Sequence, residues 1–454
     1  MRYCLNKIYK EIAMKKFTAI ILTLVMLSGV LSGCGKTAAK KSVHITMKVP
    51  ILAMECVTDS EIAQADQFLQ KAWDAFAQQY TDYDVSSEII VFEQTDYDSA
   101  ITECYGTAEA ADLLYGGYFN ISGYVHDGYA APLDDIITDE VRADFDESMW
   151  SISAINGKTY LLPYLNLQNV LCYNKDMFRE CGLDEYISDK EEIQGWSLED
   201  WEIIFSTLAE KHGNNQYVMP MYAKNNQGDT HTMVQIRVKG SDFFDENGRF
   251  NLNTPEGIAG LQWIKDNYDK GYYPDNCENM EINDCTLLFA NGQIAFGLFN
   301  TALAQTYEVY DFEKGYVNFP AANPEGACST FVTGFMAFDN GDAKKLEVTK
   351  AFLKFIYENE QWLDYSAGGI PCSKGTAERH GSEVFMGDMF AENNKYVVDY
   401  QMNNPNWLGV RAAFWPHINA RLTGEETAAE AAAGLDADCN AAIEEGYSNS
   451  KLHE

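Results

Sequence analysis

Residue types that carry chemistry are scattered along this sequence rather than grouped into motifs. The seven histidines form no i, i+4 pair, and we find no HExxH, nucleophile-elbow or GxGxxG pattern. Gly35-Lys36-Thr37 matches the end of a phosphate-binding loop, but Val30 stands where that loop needs its first glycine for a tight turn. We therefore predict no catalysis, no cofactor and no metal site.

Cys34 lies in a context that favours its modification. Met14-Lys15-Lys16 is basic, Phe17 to Leu31 is an apolar stretch, and "LSGC" then places small residues directly before the cysteine. At about 15 residues the apolar stretch is too short to span a membrane but fits the core of a signal peptide. The segment resembles the lipobox of bacterial lipoproteins, which predicts a signal peptide over residues 1–33, translated from Met14, and a lipidated tether over residues 34–42.

The length and charge of the chain limit its organisation and its partners. At 454 residues it exceeds what one hydrophobic core usually serves, so we expect two lobes. The net charge of −35 argues against nucleic acid and anionic lipid as partners, because both would be repelled. We expect a monomer that touches the membrane only through its lipid anchor.

The cysteines do not form a recognisable framework. Of the eleven, Cys4 and Cys34 belong to the leader region, and nine remain, which is an odd number with irregular spacing and no CxxC. Neither a complete set of disulfides nor a zinc site fits this pattern. We predict that the nine are buried free thiols.

Alternating apolar patterns predict an α/β fold. "VHITMKV" and "ADLLYGG" are typical of strands, whereas "SLEDWEIIFSTLAEKHG" is typical of a helix with Ser197 as its N-cap and Asp200 at its third position. In the alanine-rich final segment, Thr423 fits the N-cap of the last helix. Because strands alternate with helices, we expect mainly parallel sheets.

The aromatic content favours carbohydrate as a ligand. The chain has 27 tyrosines, 24 phenylalanines and eight tryptophans, several in stretches that also hold Asn, Gln and Gly. The C–H faces of sugars pack on aromatic rings, and amides can both donate to and accept from hydroxyl groups.

Several stretches occur in the order and spacing of a known family. "NGKTYLLPY" from Asn156, "YNKDMF" from Tyr173, "FANGQIAFG" from Phe289, "FVTGFMAF" from Phe331 and "FWPHINARLTGEETAAEAA" from Phe414 resemble segments of the family 1 extracellular solute-binding proteins of ABC importers. This group contains maltose-binding protein. The resemblance spans nearly the whole chain after the leader.

The resemblance implies an α/β fold of the two-lobe, periplasmic-binding-protein-like type II class. Its discontinuous lobes would be residues 43–167 plus 333–373 and residues 168–332 plus 374–454. The chain would cross between them near Asn166 to Asn169, near Phe331 to Gly334 and near Cys372 to Thr376. The ligand would be held in the cleft between the lobes.

The same resemblance, with the local sequence, gives the candidate ligand contacts. Trp415 matches an aromatic that stacks on sugar in this family, and Trp407 lies in a polar loop nearby. Strand parity would let three residues of the first crossing face the cleft together. The full set is Tyr118, Phe119, Tyr164, Asn166, Gln168, Asn225, Gln227, Asn300, Trp407 and Trp415.

These observations predict a lipid-anchored receptor on the extracytoplasmic face of the membrane that captures a sugar or oligosaccharide for the permease subunits of an ABC importer. A second interpretation is a receptor of the same fold for a polyamine, a peptide or a phosphodiester. A third is an anchored carbohydrate-active enzyme, which would need a pair of carboxylates in the cleft.

Overall fold

The computed structural model describes residues 41–54, 56–94, 96–212, 216–224, 228–398 and 403–452. The chain divides into a main body of residues 42–81 and 85–454 and a second unit, of which Lys41 and residues 82–84 are described. In that second unit the Asp84 N–H donates to the Lys41 carbonyl at 3.1 Å. The predicted signal peptide and Cys34 lie outside the described residues.

The described part of the chain contains twelve strands. They are β1 Ser42–Pro50, β2 Asp84–Phe92, β3 Leu113–Gly117, β4 Ala154–Ile155, β5 Lys158–Thr159, β6 Leu162–Asn174, β7 Ile193–Gln194, β8 Phe296–Phe299, β9 Lys314–Val317, β10 Cys328–Ala337, β11 Ile370–Pro371 and β12 Val397–Val398. Ten of them form one sheet with the path β2-β1-β3-β10-β6-β9-β7, to which β8 and β11 add by pairing with β6 and β12 by pairing with β10. A separate small hairpin holds β4 and β5.

Strand β6 serves two halves of this sheet. Its residues 162–169 pair with β10, in a register that ends at Asn169 opposite Ser329. From Val170 onward the same strand pairs with β8 on one side and β9 on the other. All thirteen of its residues are buried. The change of partners therefore falls between Asn169 and Val170.

The expectation of mainly parallel sheets is wrong. β1 with β3, β7 with β9 and β10 with β12 are parallel pairs. The central strands β6 and β10, however, run antiparallel to each other, and each is antiparallel to further neighbours. Long strands that pass from one half of the sheet to the other do not belong to βαβ units, so the rule that makes sequential strands parallel does not apply to them.

The helices pack around this sheet. In the described residues they are α1 Ala65–Gln79, α2 Tyr97–Ala100, α3 Ile121–His126, α4 Asp139–Ala143, α5 Glu147–Ile152, α6 Lys175–Cys181, α7 Leu198–His212, α8 Asp229–Ile236, α9 Pro255–Asp269, α10 Ile282–Ala290, α11 Ala304–Glu308, α12 Ala343–Tyr357, α13 Glu360–Leu363, α14 Lys374–His380, α15 Gly387–Asn393, α16 Trp407–Thr423 and α17 Ala428–Ser448. None of these helices is long and apolar enough to cross a bilayer.

Two helix starts test the predicted caps. The Ser197 and Asp200 side chains bond each other's backbone N–H at 3.0 and 3.2 Å, which confirms the predicted start of α7. The last helix is capped by Thr427, which exchanges side-chain bonds with Glu430, and not by Thr423. Thr423 instead ends α16, because Gly424 follows it in the left-handed conformation at φ 82°.

The cysteines are confirmed as free thiols where the structure describes them. All nine are unpaired, and eight of them are buried, with Cys104 partly exposed. Burial raises the pKa of several of these thiols, including Cys172 and Cys372. They behave as small apolar side chains of the core.

Candidate ligand-binding cavity

A cavity of about 270 Å³ lies where β6 and β10 pair. The two strands contribute Leu167, Asn169 and Phe331, so its floor is formed at the change of partners in β6. The walls come from loops and helix starts around it. The lining residues are Leu52, Gln94, Phe119, Leu167, Asn169, Gly228, Asp229, Thr230, His231, Ile282, Asn300, Phe331 and Arg411.

An ion pair between a buried carboxylate and a partly buried guanidinium lies in the wall of this cavity. Asp229, in the first turn of α8, is 2% exposed, and its Oδ1 accepts from Nε and Nη2 of Arg411, each at 2.8 Å. Its Oδ2 accepts from the indole Nε1 of Trp407 at 3.1 Å. A helix N-terminus also favours a negative charge. Both charged residues of the lining thus neutralise each other.

Aromatic rings form a wall next to the ion pair. The guanidinium of Arg411 lies 4.7 Å from the ring centre of Phe119, and the Phe119 and Phe331 rings are 5.5 Å apart. A Cβ on Gly117 would come within 2.5 Å of both phenylalanine rings, so only glycine allows them to pack there. Arg411 is therefore held between a carboxylate and an aromatic face.

Two amides, of which Asn169 is buried, complete the floor of the cavity. The Asn169 Oδ1 accepts from the Asn300 Nδ2 at 3.2 Å, and the Asn169 Nδ2 donates to Ser329 Oγ at 3.4 Å. Amides can donate and accept together. The floor thus carries both kinds of hydrogen-bonding atom next to the aromatic wall.

A histidine of α8 lies beside the ion pair. Tyr222 Oη is 3.0 Å from the Gly228 carbonyl oxygen and 3.0 Å from His231 Nδ1. Burial lowers the pKa of His231 to about 4, although the nearby Asp229 opposes this shift. The imidazole is accordingly neutral near pH 7.

The structure brings together some of the predicted contacts. Phe119 and Asn300 line the cavity directly. Trp407 reaches it through its bond to Asp229. Tyr118 is buried in the 3₁₀ turn that precedes α3 but is not part of the lining.

The segment predicted as the first crossing presents to the cavity the strand face opposite to the expected one. Leu167 and Asn169 line it, whereas Tyr164 packs in the core against Phe68, at a ring distance of 5.5 Å, and donates its hydroxyl to a backbone carbonyl. Gln168 Nε2 donates to the Phe390 carbonyl at 2.8 Å. Asn166 Oδ1 accepts from Thr330 Oγ1. The predicted parity is therefore shifted by one residue.

Trp415 lies behind the cavity rather than in its wall. It is 5% exposed, and its ring centre is 5.9 Å from that of Tyr222. Its indole N–H has no hydrogen-bond partner. It therefore supports Tyr222, which in turn holds His231. Asn225 and Gln227 lie outside the described residues.

Among the lining residues that the predicted set did not contain, three have titratable side chains: Asp229, His231 and Arg411. Arg411 lies one helical turn after Trp407 in "WLGVR", so a helical reading of that segment would have placed both on one face. Asp229 and His231 follow Gly228 at the start of a helix. The sequence offers no periodic signal that links this start to α16.

Other depressions of about 410, 510 and 580 Å³ occur on the described surface. They lack the combination of the paired strands β6 and β10, a compensated charge pair and neighbouring aromatic rings that marks the 270 Å³ cavity. Within the described residues, no cluster of His, Cys, Asp and Glu could hold a metal ion.

Comparisons with known proteins identify the family. Residues 59–361 match the family of bacterial extracellular solute-binding proteins, and the chain belongs to this family. Its predicted family is thereby confirmed.

A relative from Brucella abortus is 24% identical over 273 residues, which is 59% of this chain and 64% of the relative. The arabinooligosaccharide-binding protein of Halalkalibacterium halodurans is 31% identical over 136 residues, covering 30% of this chain and 27% of that protein. The match thus spans less than two thirds of the length of each of these relatives.

The structural similarity is broader. The GacH receptor of Streptomyces glaucescens, solved without ligand and with acarbose, is 16% identical with a TM-score of 0.71, covering 89% of this chain and 99% of that one. This similarity confirms the predicted α/β fold of the two-lobe binding proteins. The lobe boundaries and the three crossing positions stay predictions.

Proposed function

We propose that this chain is a lipid-anchored extracytoplasmic receptor that captures a sugar or short oligosaccharide and delivers it to the permease subunits of an ABC importer. The observation that carries the proposal is the cavity at the crossing strands, where Asp229 and Arg411 compensate each other beside the Phe119 and Phe331 rings. Such a cavity suits a neutral ligand with many hydroxyl groups.

The compensated ion pair disfavours the alternative ligands. A polyamine would need carboxylates without a partner, and a phosphodiester would need cations without one, because a buried charge is costly unless it is paired. In the lining, Asp229 already receives three N–H donors. A neutral sugar requires no change in this arrangement.

The lining also matches the two faces of a sugar. A pyranose or furanose ring packs its C–H bonds on an aromatic face, as Phe119 and Phe331 offer. Its hydroxyls need partners that donate and accept, as the amides of Asn169 and Asn300 do. The volume of about 270 Å³ lies near the small end of the roughly 300–1,000 Å³ usual for small-molecule sites, which favours enclosing a mono- or disaccharide unit.

The proposed mechanism is capture by closure of two lobes and involves no covalent chemistry. With the predicted boundaries, Phe119 belongs to the first lobe and Asp229 to the second, so one ligand would contact both. A ligand that contacts both lobes favours the closed state through its differential affinity. The receptor would act as a monomer.

A thermal-shift screen of the purified chain tests the ligand class. Arabinotriose, maltotriose and acarbose are compared with spermidine, a tripeptide and glycerophosphocholine. Stabilisation grows with the ratio of ligand concentration to Kd, so a sugar at 100 times its Kd should add about 2.7 kcal/mol. Stabilisation by spermidine or glycerophosphocholine alone would contradict the proposal.

The lipid anchor needs its own test. In cells fed radiolabelled palmitate, the chain should carry label, and Cys34→Ser should abolish it, because the thiol is the acylation point. Cys104→Ser is the matched control, since Cys104 is a partly exposed thiol of the folded body. Equal label in Cys34→Ser and the unchanged chain would rule out anchoring at Cys34.

A further inference from the structure

We infer that the Nε2 atom of His231 is a bare hydrogen-bond acceptor presented to the cavity, and that it selects ligands carrying a hydroxyl or N–H donor at that point. This inference rests on the proposed function for its ligand class. The geometry of Tyr222, Gly228 and His231 carries it.

The Tyr222 hydroxyl has one proton and two close neighbours. The Gly228 carbonyl oxygen, at 3.0 Å, can only accept a hydrogen bond. This oxygen also accepts the backbone N–H of His231 at 3.0 Å. An O···O distance of 3.0 Å is favourable only with a proton between the two oxygens, so the tyrosine proton points to the carbonyl. His231 Nδ1, also at 3.0 Å from Tyr222 Oη, must then be the donor of the second bond.

Glycine at position 228 makes this arrangement possible. Its φ is 64°, in the left-handed region, and a Cβ there would lie 1.8 Å from Tyr222 Oη. Any side chain at position 228 would push the Tyr222 hydroxyl away and break its hydrogen bonds to the Gly228 carbonyl and to His231. The trio is thus a built feature rather than a chance contact.

A neutral imidazole has a single N–H, so a proton on Nδ1 leaves Nε2 bare. Burial keeps His231 neutral, since it lowers the pKa to about 4. Among the residues that the structure describes, none bonds to Nε2, and it is not one of the enclosed polar atoms without a partner. Because His231 lines the cavity, this nitrogen is open to a ligand.

A sugar hydroxyl can satisfy both the bare His231 Nε2 and the remaining N–H groups of Arg411. It can donate to His231 Nε2, and its lone pairs can accept from the N–H groups of Arg411 that Asp229 does not use. An ether or a deoxy carbon at the same place cannot donate and would leave the acceptor unpaired. His231 is therefore assigned as a specificity-determining residue.

The tautomer is measured first, because that result does not depend on any ligand. In the full chain, purified in detergent with ¹⁵N only in its histidine rings, a long-range ¹H–¹⁵N spectrum at pH 7 distinguishes protonated from bare ring nitrogens. We expect the Nδ1–H form for His231, identified by the loss of its signals in His231→Gln. In Tyr222→Phe the preference should weaken toward a mixture. An Nε2–H form or an imidazolium in the unchanged chain would overturn the inference.

Calorimetry with arabinotriose, maltotriose and acarbose then tests selection. For a sugar that binds, His231→Phe should weaken binding about 10- to 100-fold, because the ligand donor loses its acceptor. His231→Gln, whose amide oxygen can accept, should recover part of this loss. His231→Phe should also lose the discrimination that the unchanged chain shows against the monodeoxy analogues of that sugar. Equal affinity in His231→Phe and the unchanged chain would contradict the inference, whereas binding of none of the three sugars would count against the proposed function and leave the tautomer result standing.

Discussion

At the residue scale, the arrangement around Asp229 explains why two tryptophans of one helix differ. Trp407 and Trp415 are both buried in α16, at 2% and 5% exposure. Trp407 donates its indole N–H to Asp229, whereas the N–H of Trp415 has no partner. The first therefore contributes a charge-assisted hydrogen bond and the second contributes packing.

This difference predicts unequal costs for the same substitution. Trp407→Phe should lower the free energy of unfolding by about 1–3 kcal/mol more than Trp415→Phe, because it removes a donor from a buried carboxylate. Urea denaturation of both variants measures the difference. Both substitutions shrink a buried ring by the same amount, so Trp415→Phe is the matched control. Equal losses would mean that the bond from Trp407 to Asp229 adds nothing.

Two histidines predict opposite pH dependences. A hydrogen bond with Glu383, and then Asp364, raises the pKa of His380, so its contribution is complete below the unfolded pKa of about 6.5 and is lost as pH rises through the folded value. Burial lowers the pKa of His231 to about 4, although Asp229 opposes the shift. Its contribution is therefore present above about 6.5 and is lost as pH falls toward 4.

Thermal unfolding of His380→Gln and His231→Gln between pH 5 and 9 measures both. The deficit of His380→Gln relative to the unchanged chain should shrink as pH rises. The deficit of His231→Gln should grow from pH 5 to pH 7 and then level off. Slopes of the same sign in the two variants would contradict these assignments.

The sequence predicted the aromatic and amide character of the cavity lining better than it predicted the individual lining residues. Phe119 follows strand β3, at the end where loops of α/β folds meet ligands, and it lines the cavity. Asn300, predicted as a polar loop residue, lines it too. Arg411, Asp229 and His231 lie on two helices that are distant in sequence, and only the packing of α16 against the start of α8 brings them together. Tertiary contacts of this kind have no local signal.

At the element scale, the last two helices show how one pattern can fit two starts. Both Thr423 and Thr427 are followed three residues later by glutamate, at Glu426 and Glu430, so each matches a capping box. The end of α16 decides between them. Glu426 N–H bonds back to the Ala420 carbonyl at 3.1 Å, and Gly424 takes the left-handed conformation, so the chain is still closing α16 at this point.

The resulting prediction compares the two threonines. Thr427→Ala should lower the free energy of unfolding by about 1 kcal/mol, because it removes the N-cap of α17. Thr423→Ala should cost less, since its hydroxyl only bonds back to carbonyls of its own helix at 3.1 and 3.2 Å. Chemical denaturation of the pair measures this. A larger loss for Thr423→Ala would favour Thr423 as the N-cap of the last helix, as expected from the sequence.

At the scale of the whole molecule, strand β6 takes part in both halves of the large sheet. Residues 162–169 of β6 complete one half of the sheet with β10, and residues 170–174 complete the other half with β8 and β9. The alternating strand and helix patterns of the sequence predicted an α/β fold. They did not give the direction of β6 and β10, because direction depends on where each strand enters the sheet.

The shared strand predicts a single cooperative transition. Neither half of the sheet can lose its part of β6 without disturbing the other, so both should melt together. Differential scanning calorimetry of the ligand-free chain should give one peak whose calorimetric and van't Hoff enthalpies agree. Two resolved peaks would show that the halves are independent despite the common strand.

The continuity of β6 has a practical consequence for anyone who divides this chain. A break in the polypeptide between Asn169 and Val170 would separate a fragment that keeps the β10-pairing stretch of β6 from one that holds β8, β9 and β10 itself. Each fragment would expose the unpaired edge of a strand that is buried in the intact chain, the usual template for aggregation. Split reporters and autonomous subdomains should therefore be cut at surface loops, and never within this strand.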